Sequence, residues 1–367
     1  MPESNKSPIR VLIVDDSAFM RTALSRMVAC DAELAAVGTA SGGLEALQKI
    51  ASLDPDVITL DMEMPGLDGL ETLRRIMAQF PRPVIMVSSV TLTGAEATFS
   101  ALEAGAFDYV PKQLSSTSLN IMHIREDLMD KIKAAGESRR SASPRTPLKK
   151  PPRAVEPPTR RGSSVTPASS YPAIIAIGIS TGGPKALQQI LPALPEDLAV
   201  PIVVVQHMPP GFTAPFAKRL NGLCAATVCE ATHGDNMQPG FIYIAPAGSQ
   251  ITIERPTPLR STTCLSDKPE NQLHVPSVDV MMQSVASAFG SLAMGIIMTG
   301  MGSDGAQGMD AIHRGGGLTV GQDEASCAVY GMPRACAEIG ILDRIVPLAQ
   351  IPYEIINATR YRKTSVG

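Results

Sequence analysis

At 367 residues, 44% of them hydrophobic, the chain is too long for one small core and suits two domains of ordinary size. A formal net charge of −3 and a pI near 6.0 argue against a protein built around nucleic acid or an anionic membrane surface. Six cysteines without a CxxC pair read as reduced thiols, MPESNKSPIR lacks the apolar core of a signal peptide, and no apolar run approaches the roughly 20 residues of a spanning helix, so a cytoplasmic protein without membrane insertion is expected.

Residues 9–14 (IRVLIV) read as a strand that ends in Asp15 and Asp16. The helix after it has Phe19, Met20, Leu24, Met27 and Val28 as its apolar face. Further strands are expected at 37–39, 57–60, 84–87 and 107–110. A helix over 43–50 puts Leu44, Leu47 and Ile50 on one face, and a last one over 119–134 aligns Ile121, Ile124, Leu128 and Ile132. Strand and helix alternate five times with continuously apolar strands, the pattern of a parallel sheet covered on both faces.

Ligands of such a sheet bind where the carboxyl ends of its strands converge. Asp15, Asp16 and Asp61 bring three carboxylates there, and Ser88 and Lys112 arrive from the other strands. Packed acids repel unless a cation or a proton joins them, and hard oxygen ligands suit Mg²⁺. One acid can accept a phosphoryl group while the lysine neutralises the added charge. Helix capping accounts for Asp16 or Ser17, but not for five reactive groups at five corresponding places.

The runs VLIVDDS, DVITLDMEMPGLDGLETL, VIMVSS and AGAFDYVPK make residues 9–112 similar to the receiver domain of bacterial two-component response regulators. The resemblance implies a flavodoxin-like (βα)5 fold with Asp61 as the phosphorylated residue and Asp15, Asp16 and Asp61 around Mg²⁺. It also implies Ser88 as the switch hydroxyl, Tyr109 as the aromatic whose orientation follows it, and Lys112 as the phosphate contact. One departure is Gln113, where the family usually has proline.

After residue 134 the pattern collapses. Residues 136–170 hold seven prolines and no periodic apolar face, with eight Arg/Lys against two Glu. A flexible linker over 135–170 is expected. Its charge of +6 leaves −9 on the rest of the chain, so it can act as a plain spacer or lie against either acidic domain. A nucleic-acid tail is disfavoured, because the segment has no aromatics and no reading module follows it.

The second domain is expected over 171–350, with a C-terminal tail at 351–367. Residues 173–183, AIIAIGISTGG, read as a buried strand running into a glycine-framed turn with Ser180 at its centre, a Gly-x-Ser-x-Gly elbow. Backbone N–H groups of that turn, and of the helix starting near Pro184, can face a developing oxyanion. A strand at 201–206 delivers His207, and one at 292–298 leads into TGMGSDG with Asp304. Between them come a helix at 216–220, short strands at 227–229, 241–244 and 251–253, and a helix at 278–289; a strand at 318–320 and helical material at 324–329 follow. The expected architecture is a mostly parallel α/β domain.

If those three strands are neighbours, Ser180, His207 and Asp304 meet in one crevice, where the histidine takes the serine proton and the aspartate orients the ring. The order Ser…His…Asp differs from the Ser…Asp…His of α/β-hydrolases. His313 would restore that order, but it lies within a helix. His233 and His274 sit in polar, turn-rich segments able to line the mouth, and a metal set of His207, His233 and Asp235 has no trusted spacing.

Residues 173–347 are similar to the catalytic domain of chemotaxis protein-glutamate methylesterases, through IGISTGGP, VVVQHMPPGFT, GFIYIAPAG, SVDVMM, IIMTGMGSDGAQG and YGMPRAC. The resemblance implies Ser180 as nucleophile, His207 as base, Asp304 as orienter, and backbone at Thr181, Gly182 and Met301 around the oxyanion, with no cofactor in the esterase site. Met208, Phe212 and Met301 would form an apolar mouth for a helical substrate. The implied partners are methyl-accepting chemoreceptors, whose glutamate methyl esters are hydrolysed to methanol and whose glutamines are deamidated, and a chemotaxis histidine kinase as phosphodonor. A partner-binding module without activity would be expected to lack the serine, histidine or aspartate, and a transcription regulator would need a basic reading helix; neither condition is met.

Overall fold

Strands that are apolar at every position are stable only inside a sheet covered on both faces, and both halves of the chain fold this way. The structure, a computed structural model, describes residues 7–89, 91–112, 118–141, 171–266 and 274–360. In the first half, β1 (Ile9–Val14), β2 (Leu34–Ala40), β3 (Val57–Asp61), β4 (Val84–Ser88) and β5 (Asp108–Pro111) alternate with α1 (Ala18–Ala29), α2 (Gly43–Leu53), α3 (Gly69–Gln79), α4 (Leu92–Glu103) and α5 (Ser118–Ser141). The strands are parallel in the order β2-β1-β3-β4-β5, which makes the ends of β1 and β3 neighbours where the winding reverses.

Two expected core residues of this half face solvent: Phe19 is 71% and Leu44 63% exposed. The buried stripe of α1 is Leu24 and Val28, and that of α2 runs through Ala46 and Ile50. At 3.6 residues per turn Phe19 lies about 140° round the helix from Leu24, and Leu44 about 160° from Ala46. Helix α5 continues past 134 to Ser141. Its last turn is tied down by Arg139 on Asp54 and by Arg140 on the carbonyls of Ser7 and Pro8. The linker expected at 135–170 lies, from residue 142 on, outside the described residues, as does Gln113.

The second half holds β6 (Ile174–Ile179), α6 (Gly183–Ile190), β7 (Ile202–Gln206), α7 (Thr213–Asn221), β8 (Thr227–Glu230), β9 (Phe241–Ile244), β10 (Gln250–Thr257), β11 (Arg260–Ser266), α8 (Val278–Phe289), β12 (Ala293–Ile297), α9 (Ala306–Arg314), β13 (Leu318–Gln322), α10 (Met332–Glu338), β14 (Arg344–Val346) and α11 (Ile351–Arg360). Seven of these strands form one parallel sheet in the order β14-β13-β12-β6-β7-β9-β8, while β10 and β11 make a separate antiparallel hairpin.

Helical material expected at 324–329 is only a 3-10 turn, Glu324–Ser326, capped by Asp323, whose side chain accepts from Ser326 N–H at 3.0 Å; α10 waits for Met332, with a proline in its first turn. Strand β14 is three residues long and two of them are exposed, too short to show a period. Residues 351–360 are not a tail but a helix, which buries Ile351 and Ile355 in the core.

Helix α4 of the first sheet's domain packs on α7 of the second. Phe99 meets Phe212 and Phe216 at ring distances of 6.2 and 5.2 Å, and Tyr109 stacks on Phe212 at 5.0 Å. Arg219 Nε donates to Glu103 across the same boundary at 3.1 Å. Phe99 and Phe212 are fully buried, so one apolar cluster spans both domains.

The central strand β6 is kept close to α8 by a missing side chain: a Cβ on Gly178 would lie 2.2 Å from Val278 Cγ1. Gly178→Ala is expected to destabilise the fold by about 1–3 kcal/mol, as overpacked cores do. A lowered urea midpoint in the transition of the second domain is the measurement that checks this.

Candidate functional sites

In the first domain Asp15 and Asp61 are buried and Asp16 exposed, and one oxygen from each lies within 4.8 Å of the others. Lys112 reaches in from the end of β5, 2.6 Å from Asp61 Oδ2 and 3.2 Å from Asp15 Oδ2. Burial raises the Asp61 carboxyl above its ordinary range, more than Lys112 lowers it. Burial pulls Lys112 down, but its hydrogen bond and attraction to Asp61 and the charge of Asp15 leave it above its ordinary value. Three acids beside one lysine leave net negative charge in a pocket of hard oxygen donors, a composition that fits a divalent ion such as Mg²⁺.

The other groups expected at this site are turned elsewhere. Ser88 Oγ donates to the Gly94 carbonyl at 3.3 Å and accepts from Thr98 at 2.8 Å, so it is bound to α4. Tyr109 is buried against Phe212, and its hydroxyl has no hydrogen-bond partner among the described residues.

In the second domain Ser180 follows β6, His207 follows β7, and the loop carrying Asp304 follows β12, three strands side by side in the sheet. Parallel register aligns Ile179 with Gln206 and Gly178 with Ile297, which brings the three loops to one edge. The serine turn is pinned on all sides. Ser180 N–H donates to the Thr299 carbonyl at 3.0 Å and the Ser180 carbonyl accepts from Gly183 N–H at 2.8 Å. Gly182 takes φ +75°, where a Cβ would also strike Ala328 at 2.5 Å.

Two residues that the sequence did not single out hold this turn. Gln206 Nε2 donates to the carbonyls of both Ser180 and His207 at 3.0 Å. Thr299 Oγ1 donates to the Thr181 carbonyl at 3.0 Å and accepts from Val329 N–H at 3.0 Å. Their only sequence signal is adjacency to the QHMP and TGMG runs, since a side chain that braces backbone has no pattern of its own.

His207 Nε2 and Asp304 Oδ2 are 2.8 Å apart. The other ring nitrogen, Nδ1, is buried without a partner among the described residues, which leaves it as the nitrogen able to take a proton from a nucleophile. Asp304 also accepts from Ser277 Oγ at 2.8 Å, Val278 N–H at 2.8 Å and Asp279 N–H at 3.0 Å, at the N-terminus of α8. Burial works against its charge, yet the His207 hydrogen bond and charge and the helix N–H groups hold its carboxyl well below the usual range.

His274 stacks on His207 with ring centroids 4.2 Å apart and planes 10° from parallel. Burial, and then the charge of His207, lower its pKa to about 4, so it stays neutral near pH 7. His313 lies in the last turn of α9, 3.9 Å from Asp343 on another face, and His233 Nδ1 accepts from Leu265 N–H at 3.1 Å. Among the described residues the metal-type acid cluster is the one in the first domain.

The expected mouth residues are divided. Thr181 and Met208 are nearly buried and Met301 is half-buried beside the Asp304 loop, while Phe212 lies entirely under Phe99 and Tyr109. Gly182 faces the first domain. The Asp108 carboxyl, pushed up by burial, is eased by Lys131 and by the N–H groups of Tyr109 and Gly182.

Residues 175–355 match the CheB methylesterase family and residues 11–123 the response regulator receiver domain. The chain is 46% identical to the protein-glutamate methylesterase/protein-glutamine glutaminase 2 of Nitratidesulfovibrio vulgaris over 364 residues, 95% of this chain and 99% of that protein. The chain belongs to this methylesterase/glutaminase family. It is an enzyme of that family with a receiver domain ahead of its methylesterase domain. A second relative, the protein-glutamate methylesterase/protein-glutamine glutaminase 1 of Oleidesulfovibrio alaskensis, is 45% identical over 370 residues, 95% of this chain and 99% of that protein. Among solved structures, the Thermotoga maritima CheB methylesterase catalytic domain matches at 38% identity and a TM-score of 0.49, covering 51% of this chain and 98% of that one.

The neutral His274 of this methylesterase makes a pH prediction. Its folded pKa of about 4 lies below the ordinary histidine value of 6.5, so the unfolded chain binds the proton more readily. The stability this contributes is present above the unfolded value and is lost as pH falls toward the folded one. Unfolding free energies from urea titrations across that interval should fall with a limiting slope of about 1.4 kcal/mol per pH unit from this group, and His274→Gln should remove that part of the slope.

Proposed function

We propose that the chain hydrolyses glutamate methyl esters on the cytoplasmic helices of chemoreceptors through Ser180, His207 and Asp304, that it deamidates receptor glutamines at the same site, and that phosphorylation of Asp61 by a chemotaxis histidine kinase activates it. The observation that carries the chemical part is the His207–Asp304 hydrogen bond of 2.8 Å at the sheet edge where Ser180 also ends its strand. Ser180 Oγ attacks the ester carbonyl while His207 Nδ1 takes its proton. Asp304, bonded to Nε2, steadies the imidazolium. The oxyanion forms against backbone N–H groups at Thr181, Gly182 and Met301. The imidazolium then protonates the departing methoxide, methanol leaves, and water attacks the acyl-enzyme by the same proton relay to release glutamate. A glutamine substrate releases ammonia in place of methanol.

In the receiver, Asp15, Asp16 and Asp61 would hold Mg²⁺, which supplies positive charge for an incoming phosphoryl group. Lys112 takes part of the charge added at Asp61, and Ser88 leaves Thr98 and Gly94 to bond the new oxygens. Tyr109 is the link to the output, because its ring rests on Phe212 of the catalytic domain. A change at Tyr109 unseats the contact that covers Phe212 and brings Asp108 against Gly182. Undocking then opens an apolar mouth at Met208, Phe212 and Met301. The two domains stay covalently joined through the segment after Ser141, and a tenfold rise in activity needs about 1.4 kcal/mol of bias toward the open state when that state is scarce.

Initial rates of methanol release from methylated receptor test both parts. Ser180→Ala should abolish nearly all turnover with the circular dichroism unchanged, and the double variant with His207→Ala should be little worse than either single one. Substantial release from Ser180→Ala would overturn the serine mechanism. A chain lacking residues 1–170 should be fast without a phosphodonor, and Asp61→Asn should stay at the basal rate when acetyl phosphate and Mg²⁺ are added. A truncated chain no faster than the unphosphorylated whole would overturn inhibition by docking.

A further inference from the structure

Helices α8 and α9 cap each other through the loop that carries Asp304. The N-cap of α9 is Gly305, which has φ +102° and no side chain with which to cap its own helix. The acceptor comes from the first turn of α8: Asp279 Oδ1 receives Gly305 N–H at 2.9 Å and Gly308 N–H at 2.8 Å. In the opposite direction Asp279 N–H donates to Asp304 Oδ1 at 3.0 Å, beside Ser277 Oγ and Val278 N–H. Residue 279 therefore grips the 304–305 peptide from both ends, backbone on the Asp304 carboxylate and carboxylate on the Gly305 N–H. The helices lie close enough for this because Gly308 has no Cβ; one placed there would be 2.5 Å from Met282 Cβ.

We infer that Asp279 is a positioning residue for the ester hydrolysis, setting the place and rotation of the Asp304 carboxylate and through it the His207 ring. The inference rests on the proposed roles of Ser180, His207 and Asp304. What matters is one oxygen at one place, since a single Oδ1 accepts both N–H groups. Asparagine keeps a carbonyl oxygen there and gives up the charge. Glutamate keeps the charge and moves the oxygens out by a methylene. Displacements of that size at a group orienting a catalytic base cost on the order of a hundredfold in rate.

The experiment uses the full chain, activated with acetyl phosphate and Mg²⁺, and reads kcat and KM for methanol release, each variant being assayed below its own thermal midpoint. Asp279→Asn is expected within about threefold of the parent in both constants. Asp279→Glu and Asp279→Ala are expected to lose about tenfold or more in kcat with KM within about twofold, because the substrate contacts are untouched. Rescue by asparagine, together with loss confined to kcat, separates positioning from support of the fold. The inference is overturned if Asp279→Glu turns over like the parent, or if Asp279→Asn falls as far as Asp279→Glu, which would make charge and not placement the cause. Ser180→Ala runs alongside: a dead Ser180→Ala with an active Asp279→Glu removes only the role of Asp279, whereas an active Ser180→Ala removes the triad reading itself.

Discussion

A carboxylate that is kept charged inside the protein needs every lone pair answered, and the catalytic half of this chain is organised to do that for Asp304. Burial alone would push the group toward its neutral form. Three donors at the start of α8 and one from His207 reverse the balance. Those donors exist only if α8 begins where it does, which depends on Ser277 as its N-cap and on Gln250, whose side chain clasps the His274 carbonyl and the Ser277 N–H. The same clasp delivers His274 onto the face of His207. One buried charge thus ties a helix start, a loop and a stacked ring into a single arrangement.

The sheet supplies the other half of that arrangement. Parallel strands put all their carboxyl ends on one edge, so β6, β7 and β12 as neighbours bring the loops of Ser180, His207 and Asp304 together. The glycines make this approach possible. A Cβ on Gly300 would meet Ser180 Cβ at 2.8 Å, and one on Gly183 would meet Gln206 Oε1 at 1.9 Å. The loops can therefore lie against each other as backbone, with side chains reserved for chemistry and bracing.

The receiver uses the same geometric rule for a different end. Its acids and Lys112 gather where β1, β3 and β5 finish, while the face beyond β5 carries Tyr109 and Asp108 against the catalytic domain. The acid cluster and the domain contact are separated by three residues of chain, from Lys112 just past β5 to Tyr109 within it. A buried tyrosine hydroxyl without a partner among the described residues and a buried acid pushed up by desolvation are costly there. An interface that carries such costs is easier to separate than an all-apolar one.

The sequence by itself determined the strand–helix alternation, the polar residue at each strand end and the two family resemblances. Continuous apolar runs and residues adjacent in the chain are enough to express these. It overstated the buried faces of α1 and α2, since Phe19 and Leu44 are apolar but lie round the helix from the residues that meet the sheet. It carried no sign that Phe212 packs against Phe99 and Tyr109 of the other domain. Only the tertiary structure decided which nitrogen of His207 faces Asp304, that Gln206 and Thr299 brace the serine turn, and that Asp279 closes α9. Each of these is a contact between segments distant in the chain, set by strand order and helix approach, and no local pattern of residues encodes it.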